Sequence, residues 1–180
     1  ANTISTGTIT PSLTRCTPFT VTYSITGTYI AGNVFTAELS DPTGSFSVTT
    51  TIGTVTATVA TPITATIPGA AVAGTYRIRV VSSNPAVTGS DNGANLTLPA
   101  DGGAGTWTWQ GTAGTNWFDR CNWDMKTLPN TSSDVVIPVT GNNPVISGAA
   151  AGCNTVTINS SAGAILNINS SAGGSLTITQ

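Results

Sequence analysis

The chain contains no histidine, and only 7% of its residues are charged. Without histidine the usual general base and the usual nucleophile triads are missing, as is the commonest zinc ligand. Five Lys and Arg against seven Asp and Glu leave a net charge of -2. That balance offers no basic footprint for nucleic acid and no polybasic helix for a membrane surface. No apolar run approaches the ~20 residues of a membrane-spanning helix, so no membrane insertion is expected. Helical periodicity is absent, and no signal peptide is visible, so Ala1 reads as a mature or trimmed N-terminus. No glycine-rich phosphate loop occurs; the glycines punctuate turns. The carboxylates form no obvious pair on one strand face. Asp119 and Asp124 could meet only in space as a glycosidase-type pair, and their turn-rich surroundings favour backbone hydrogen bonding instead. Neither an enzyme nor a cofactor is expected.

What remains is β-sheet material. Hydrophobic residues make up 39% of the chain, too many for disorder, and Thr, Val and Ile favour strands. The most regular stretch runs from Val156 to Gln180 and repeats every ten residues. Val156, Leu166 and Leu176 recur, as do Ile158, Ile168 and Ile178, and Asn159-Ser-Ser-Ala-Gly163 returns as Asn169-Ser-Ser-Ala-Gly173. Ten is even, so each copy turns its apolar pair to one face. One strand plus one turn cannot bury that face alone and needs stacked neighbours. An antiparallel meander and a short β-solenoid fit the pattern equally. The repeat stops without a polar cap, which suggests either a longer protein or a last strand that finds a partner on another molecule.

Residues 1–98 read as a β-sandwich of short alternating runs. Thr3–Thr10 comes first, then Phe19–Thr26 with Phe19, Val21, Tyr23 and Ile25 on one side, and Val34–Ser40 with Phe35, Ala37 and Leu39 inward. Asp41-Pro-Thr-Gly44 is a turn. Phe46–Thr51, Gly53–Ala60 and Ile63–Ile67 continue the series. In Thr75–Ser82, Tyr76, Ile78 and Val80 face one way and Arg77 and Arg79 the other, where cross-strand pairing with Glu38 is expected. Ser83–Asn95 reads as a polar loop before Leu96–Leu98. Asp91, Asn92 and Asp41 suit a turn better than calcium, which takes six to eight oxygens.

Residues 99–105 are glycine-rich and read as a linker. Residues 106–180 then open with Trp107, Trp109, Trp117 and Trp123, followed by strands at Asp134–Val139 and Pro144–Ser147. These rings form either an aromatic core or a stacking platform for sugar. Three cysteines, Cys16, Cys121 and Cys153, are an odd number. Cys121 and Cys153 are the natural disulfide pair, closing a loop of roughly thirty residues worth ~3 kcal/mol. Cys16 is then a buried small hydrophobe or pairs outside the chain, and a wholly reduced trio is the other reading. Sequons stand at Asn95, Asn130, Asn159 and Asn169.

Phe19–Tyr23, Thr28–Asp41 and Thr75–Gly93 resemble a domain of large secreted surface proteins of gliding and environmental bacteria. Those proteins leave the cell through the type IX secretion system. Trp107, Asn122-Trp123, Pro129, Asp134–Pro138, Pro144–Ser147 and Cys153-Asn154 look like another module of the same proteins. The resemblance implies an immunoglobulin-like sandwich followed by a β-rich repeat module in an adhesin-like or filamentous protein at the cell surface.

The expected function is therefore structural: an extracellular filament subunit or adhesin module that pairs exposed strand edges with copies of itself or with neighbouring modules. The expected edges are Thr3, Ile4, Thr8 and Ile9 at one end and Leu176 and Ile178 at the other. The second reading is a carbohydrate-binding module, with the four tryptophans as contacts for polysaccharide.

Overall fold

The structure, a computed structural model, describes residues 1–159 and 163–179. The chain is all-β and divides into two compact units, Ala1–Pro99 and Ala100–Gln180.

The first unit contains β1 (Thr3–Thr6), β2 (Pro18–Val21), β3 (Tyr23–Thr26), β4 (Val34–Leu39), β5 (Thr50–Thr56), β6 (Ile63–Thr66), β7 (Gly74–Tyr76), β8 (Ile78–Ser83), β9 (Ala86–Asp91) and β10 (Leu96–Leu98). A six-stranded sheet runs in the order β3-β1-β9-β8-β4-β5, and the pairs β2-β6 and β10-β7 lie outside it. Residues 12–15 tie those two pairs together, Ser12 bridging to Thr97 and Arg15 to Ile67. The core is the alternating inward set anticipated from sequence: Phe35, Ala37 and Leu39 on β4, Ile78 and Val80 on the neighbouring β8, and Tyr76 on β7 are all buried. This is an immunoglobulin-like sandwich.

Two runs that read as single strands each serve two sheets. The first changes partner at Thr22, β2 pairing with β6 and β3 with β1. The second changes at Arg77, β7 pairing with β10 and β8 with β4. β5 is one strand where the sequence suggests two. Phe46 precedes it and lies 4.5 Å from the Arg79 guanidinium. Ser83–Asn95 is not a loop, because β9 occupies its middle. The sequence hides this strand because its inward position 89 is glycine. A Cβ there would sit 2.5 Å from the Val80 carbonyl oxygen and 2.9 Å from Ile4, so close strand approach replaces the apolar alternation.

The second unit contains β11 (Gly105–Thr108), β12 (Ser133–Ile137), β13 (Val145–Ile146), β14 (Ala150–Cys153), β15 (Thr155–Ile158), β16 (Asn167–Ile168) and β17 (Ser175–Ile178). Every ladder here is parallel: β11-β12-β15, β13-β16 and β14-β17. Parallel pairing of strands about one turn of chain apart is a solenoid, not a meander. The first coil contributes β11 and Asn116, which bridges to Val145. The second contributes β12, β13 and β14, and the third β15, β16 and β17. The ten-residue repeat is therefore one side of a coil. Its three copies begin the three sides of the last turn.

The corner after β16 shows how the repeat turns. The Asn169 side chain accepts from the Ala172 N–H, and Gly173 adopts φ 77°. Gly174 must also be glycine, since a Cβ there would collide with the Ile146 carbonyl oxygen. Ser160, Ser161, Ala162 and Gln180, which belong to the repeat in sequence, lie outside the described residues. The glycine-rich stretch 100–105 is packed onto this unit. The Gly102 N–H donates to the Leu128 carbonyl (2.7 Å), and Asp101 grips Arg120 through both carboxylate oxygens (2.8 and 2.6 Å).

The open coil as candidate functional site

Coil stacking buries its own core row by row. Val135, Ile137, Ile146 and Cys153 of the second coil are fully buried, and the third coil covers them in register. Val156 lies on Val135, Ile158 on Ile137, Ile168 on Ile146 and Ile178 on Cys153. The third coil has no such cover among the described residues. Val156, Leu166 and Leu176 are half-buried against the core, but Ile158, Ile168 and Ile178 stay 37%, 47% and 46% exposed. The apolar pair does share one face, as the even period requires, yet its second member is not buried. This row of isoleucines, with the free edges of β15, β16 and β17, is the candidate functional surface.

Of the residues expected to form assembly edges, only Leu176 and Ile178 lie on a free edge. β1 is paired on both sides, with β3 and with β9, so Thr3 and Ile4 sit inside the sheet and Ile4 is buried. Thr8 and Ile9 fall beyond β1, after the Gly7 N–H has already bonded to Thr22. The outer strands of that sheet are β3 and β5.

The four tryptophans are core. Trp107, Trp109, Trp117 and Trp123 are all buried, and none offers an open ring face for sugar. Trp123 meets Trp109 and Trp117 edge-on, with centroids 5.1 and 4.7 Å apart, the geometry that aromatic quadrupoles favour. Indole N–H groups are bonded inside: Trp107 to the Thr127 hydroxyl, Trp109 to the Asn142 carbonyl and Trp123 to the Trp117 carbonyl.

The expected disulfide is also wrong. Cys121 is disulfide-bonded, as is Cys16, but Cys153 is a buried free thiol. The sequence argument favoured the nearer pair, but Cys153 holds a lumen position in the second coil, beneath Ile178, that wants a small apolar side chain. Burial, and then the charge of Asp134, push the Cys153 thiol up from its usual range. Alkylation without reduction is expected to leave Cys16 and Cys121 unmodified, with Cys153 alkylated only after denaturation. A Cys121–Cys153 linked peptide in the mass spectrum would overturn this assignment.

The charged residues are spent on structure. Arg79 pairs with Glu38 at 2.8 Å, the cross-strand contact anticipated, while Arg77 pairs with Asp91 at 3.0 Å. Asp91 is desolvated, yet the Gly93 N–H and Arg77 hold its carboxyl below the usual range. Asn92 accepts from the Ile78 N–H (2.9 Å), and Asp41 accepts from Thr43 and Ser45. The oxygens considered for calcium are thus turn and strand caps, and among the described residues no three potential metal-ligating side chains cluster. Asp119 caps Cys121 (2.9 Å), and Asp124 accepts from the Thr108 (2.9 Å) and Met125 (2.8 Å) N–H groups. Each carboxylate of that pair is a backbone cap. Asp134 is held below the usual carboxylate range by the Thr155 hydroxyl and the Asn154 amide. Among the sequons, Asn95 accepts from Arg77 (3.1 Å) and Asn130 caps the Ser132 N–H (2.9 Å).

A family described as a domain of unknown function (DUF8693) matches residues 108–180. The match covers the solenoid from the end of β11 onward and none of the sandwich. No curated protein and no solved structure matches the chain.

Proposed function

We propose that the protein is a structural module of an extracellular surface assembly, an adhesin or a filament subunit, that associates through exposed strand edges. The observation that supports this reading is the third coil, which leaves an apolar row and a main-chain edge uncovered on the same side. A strand edge of this kind recruits another chain by extending the sheet. The disulfide fits an oxidising compartment, which accords with a place outside the cell. Sparse charge and short β elements throughout suit a scaffold better than a catalyst. The sugar-binding reading loses its support, since its four candidate rings are buried.

Electron microscopy and light scattering of the undenatured protein test the proposal. Associated species that dissociate when the third-coil edge is altered are the expected result. Dispersed monomers, unchanged by alteration of that edge, would remove the assembly role.

A further inference from the structure

The second coil is laddered unevenly toward the first. Successive residues of its strands turn their main-chain groups to opposite coils, as parallel pairing on both sides requires. On the side of β12, the Val136 carbonyl takes the Trp109 N–H of the first coil (2.9 Å), and the Ile137 carbonyl takes Asn159 of the third (3.0 Å). On the side of β13, Val145 bonds to Thr115 and Trp117 (2.7 and 3.1 Å), and the Ile146 carbonyl takes Asn169 (2.9 Å). On the side of β14, the Cys153 carbonyl takes the Thr179 N–H (3.0 Å), so Gly152 turns toward the first coil. No strand meets it there, because β14 pairs with β17 alone. The Gly152 N–H and C=O have no partner on that side among the described residues.

The chain that passes on that side has no main-chain groups to give. After Trp117 it leaves the coil through the turn Arg120–Asn122 and returns at residues 128–131. The Leu128 N–H is spent on the Asp101 carboxylate (2.9 Å) and the Leu128 carbonyl on Gly102 (2.7 Å). Pro129 has no N–H. The Asn130 carbonyl takes the Ser133 N–H (2.8 Å), and the Thr131 carbonyl takes the Thr179 hydroxyl (2.8 Å). Along this edge lies a cleft of about 330 Å³, lined by Phe118, Leu128, Pro129, Ala150 and Gly152.

We propose that this cleft is a peptide-binding site, in which an extended, uncharged segment of another protein adds a strand to β14. One residue, Gly152, offers an N–H and a C=O in the same direction, the pair that strand addition uses. On the other two sides of the coil this place is held by first-coil chain, so the segment continues an existing ladder. Its apolar side chains pack on Phe118 and Leu128, which are both half-buried. Charge has little to meet in the cleft, since the Asp101 carboxylate on its wall is already held by Arg120 at 2.8 and 2.6 Å. Ala150 and Gly152 keep the edge low, and a Cβ at position 152 would already press on the Thr131 methyl at 2.9 Å. The site belongs to the second coil and owes nothing to the third-coil edge.

Titration of the full chain with the capped peptide acetyl-Thr-Val-Thr-Val-Thr-amide, followed by backbone amide NMR, tests the assignment. Saturable shifts centred on Ala150 and Gly152 are the expected result. Ala150→Arg lays a charged side chain across the edge from an exposed position and should weaken binding by about tenfold or more. Phe118→Ala should weaken it by about tenfold through lost apolar contact, with unchanged tryptophan emission verifying the fold of both variants. Ile178→Asp, on the third coil, should leave binding intact. A peptide that fails to saturate at millimolar concentration overturns the site and leaves the third-coil role standing. Shifts that survive Ala150→Arg and vanish with Ile178→Asp put the peptide on the third coil and overturn this inference alone. Tri-N-acetylchitotriose, whose acetamido groups carry the same N–H and C=O, is the competing ligand. If it saturates the cleft and the peptide does not, the occupant is a saccharide and the peptide site falls.

Discussion

Replacing Trp123 with alanine is expected to cost the second unit about 3–5 kcal/mol, the range for deleting a fully buried large aromatic. Trp123 is 0% exposed and holds two neighbours at once, meeting Trp109 and Trp117 edge-on. Each such aromatic pair adds about 0.5–1.5 kcal/mol beyond area burial. Its indole N–H also donates to the Trp117 carbonyl at 2.9 Å inside the core, so truncation leaves a buried acceptor unmet as well as a cavity. The rest of this small core offers little compensation, because apart from the tryptophans its buried residues are Val, Ile, Ala and a single thiol. Trp123→Phe should cost distinctly less, keeping a ring in place and losing the hydrogen bond. Urea unfolding followed by tryptophan emission checks this cleanly, since every tryptophan lies in the second unit. A loss below about 1 kcal/mol would mean that the rings are not the core of the solenoid.

That cluster was legible from sequence for a simple reason: a small β unit has few other large residues to bury, so its tryptophans go inside. The sandwich alternation was legible on the same ground, and the Arg79–Glu38 pair followed from it, because period-two positions on neighbouring strands face each other. The repeat gave its period but not its pairing. Val156, Leu166 and Leu176 lie on one face in a meander and in a solenoid alike, and only contacts to the coil before them, such as Val156 on Val135, separate the two. Ile178 was expected at an edge, but the exposure of Ile158 and Ile168 escaped notice for a related reason. A period says which face a residue takes, not whether another coil covers it. Sequence reasoning failed where spacing along the chain stood in for distance in space. Cys121 was matched to the nearer Cys153, and β9 was lost because Gly89 stands where an apolar residue would have marked the strand.

Arg15 carries the second large effect. It lies within the first unit at 1% exposure, where a cationic side chain persists only with its hydrogen bonds made. Its Nε donates to the Ala71 carbonyl at 2.8 Å and one terminal nitrogen to the Pro99 carbonyl at 2.9 Å. The adjacent backbone is pinned too, with the Cys16 N–H on the Ile67 carbonyl at 2.8 Å. One planar fork thus ties the segment after β1 to the loop before β7 and to the end of β10. Burial raises the Tyr76 hydroxyl above its usual range and the Arg15 charge partly offsets this, so the guanidinium is felt in the core as well as at its two carbonyls. Arg15→Ala is expected to destabilise the unit by about 3–5 kcal/mol, combining a cavity with the loss of two charge-assisted hydrogen bonds to part-buried carbonyls. Arg15→Met separates those contributions. It restores most of the volume and none of the hydrogen bonds, and should recover only the packing share. Arg15→Lys should not rescue, because one ammonium lacks the fork that reaches both carbonyls. Amide exchange at β6, β7 and β10 is the measurement, with faster exchange there expected in all three variants. Native protection in Arg15→Met would show that the guanidinium only fills space, and the role of these two hydrogen bonds would fall with it.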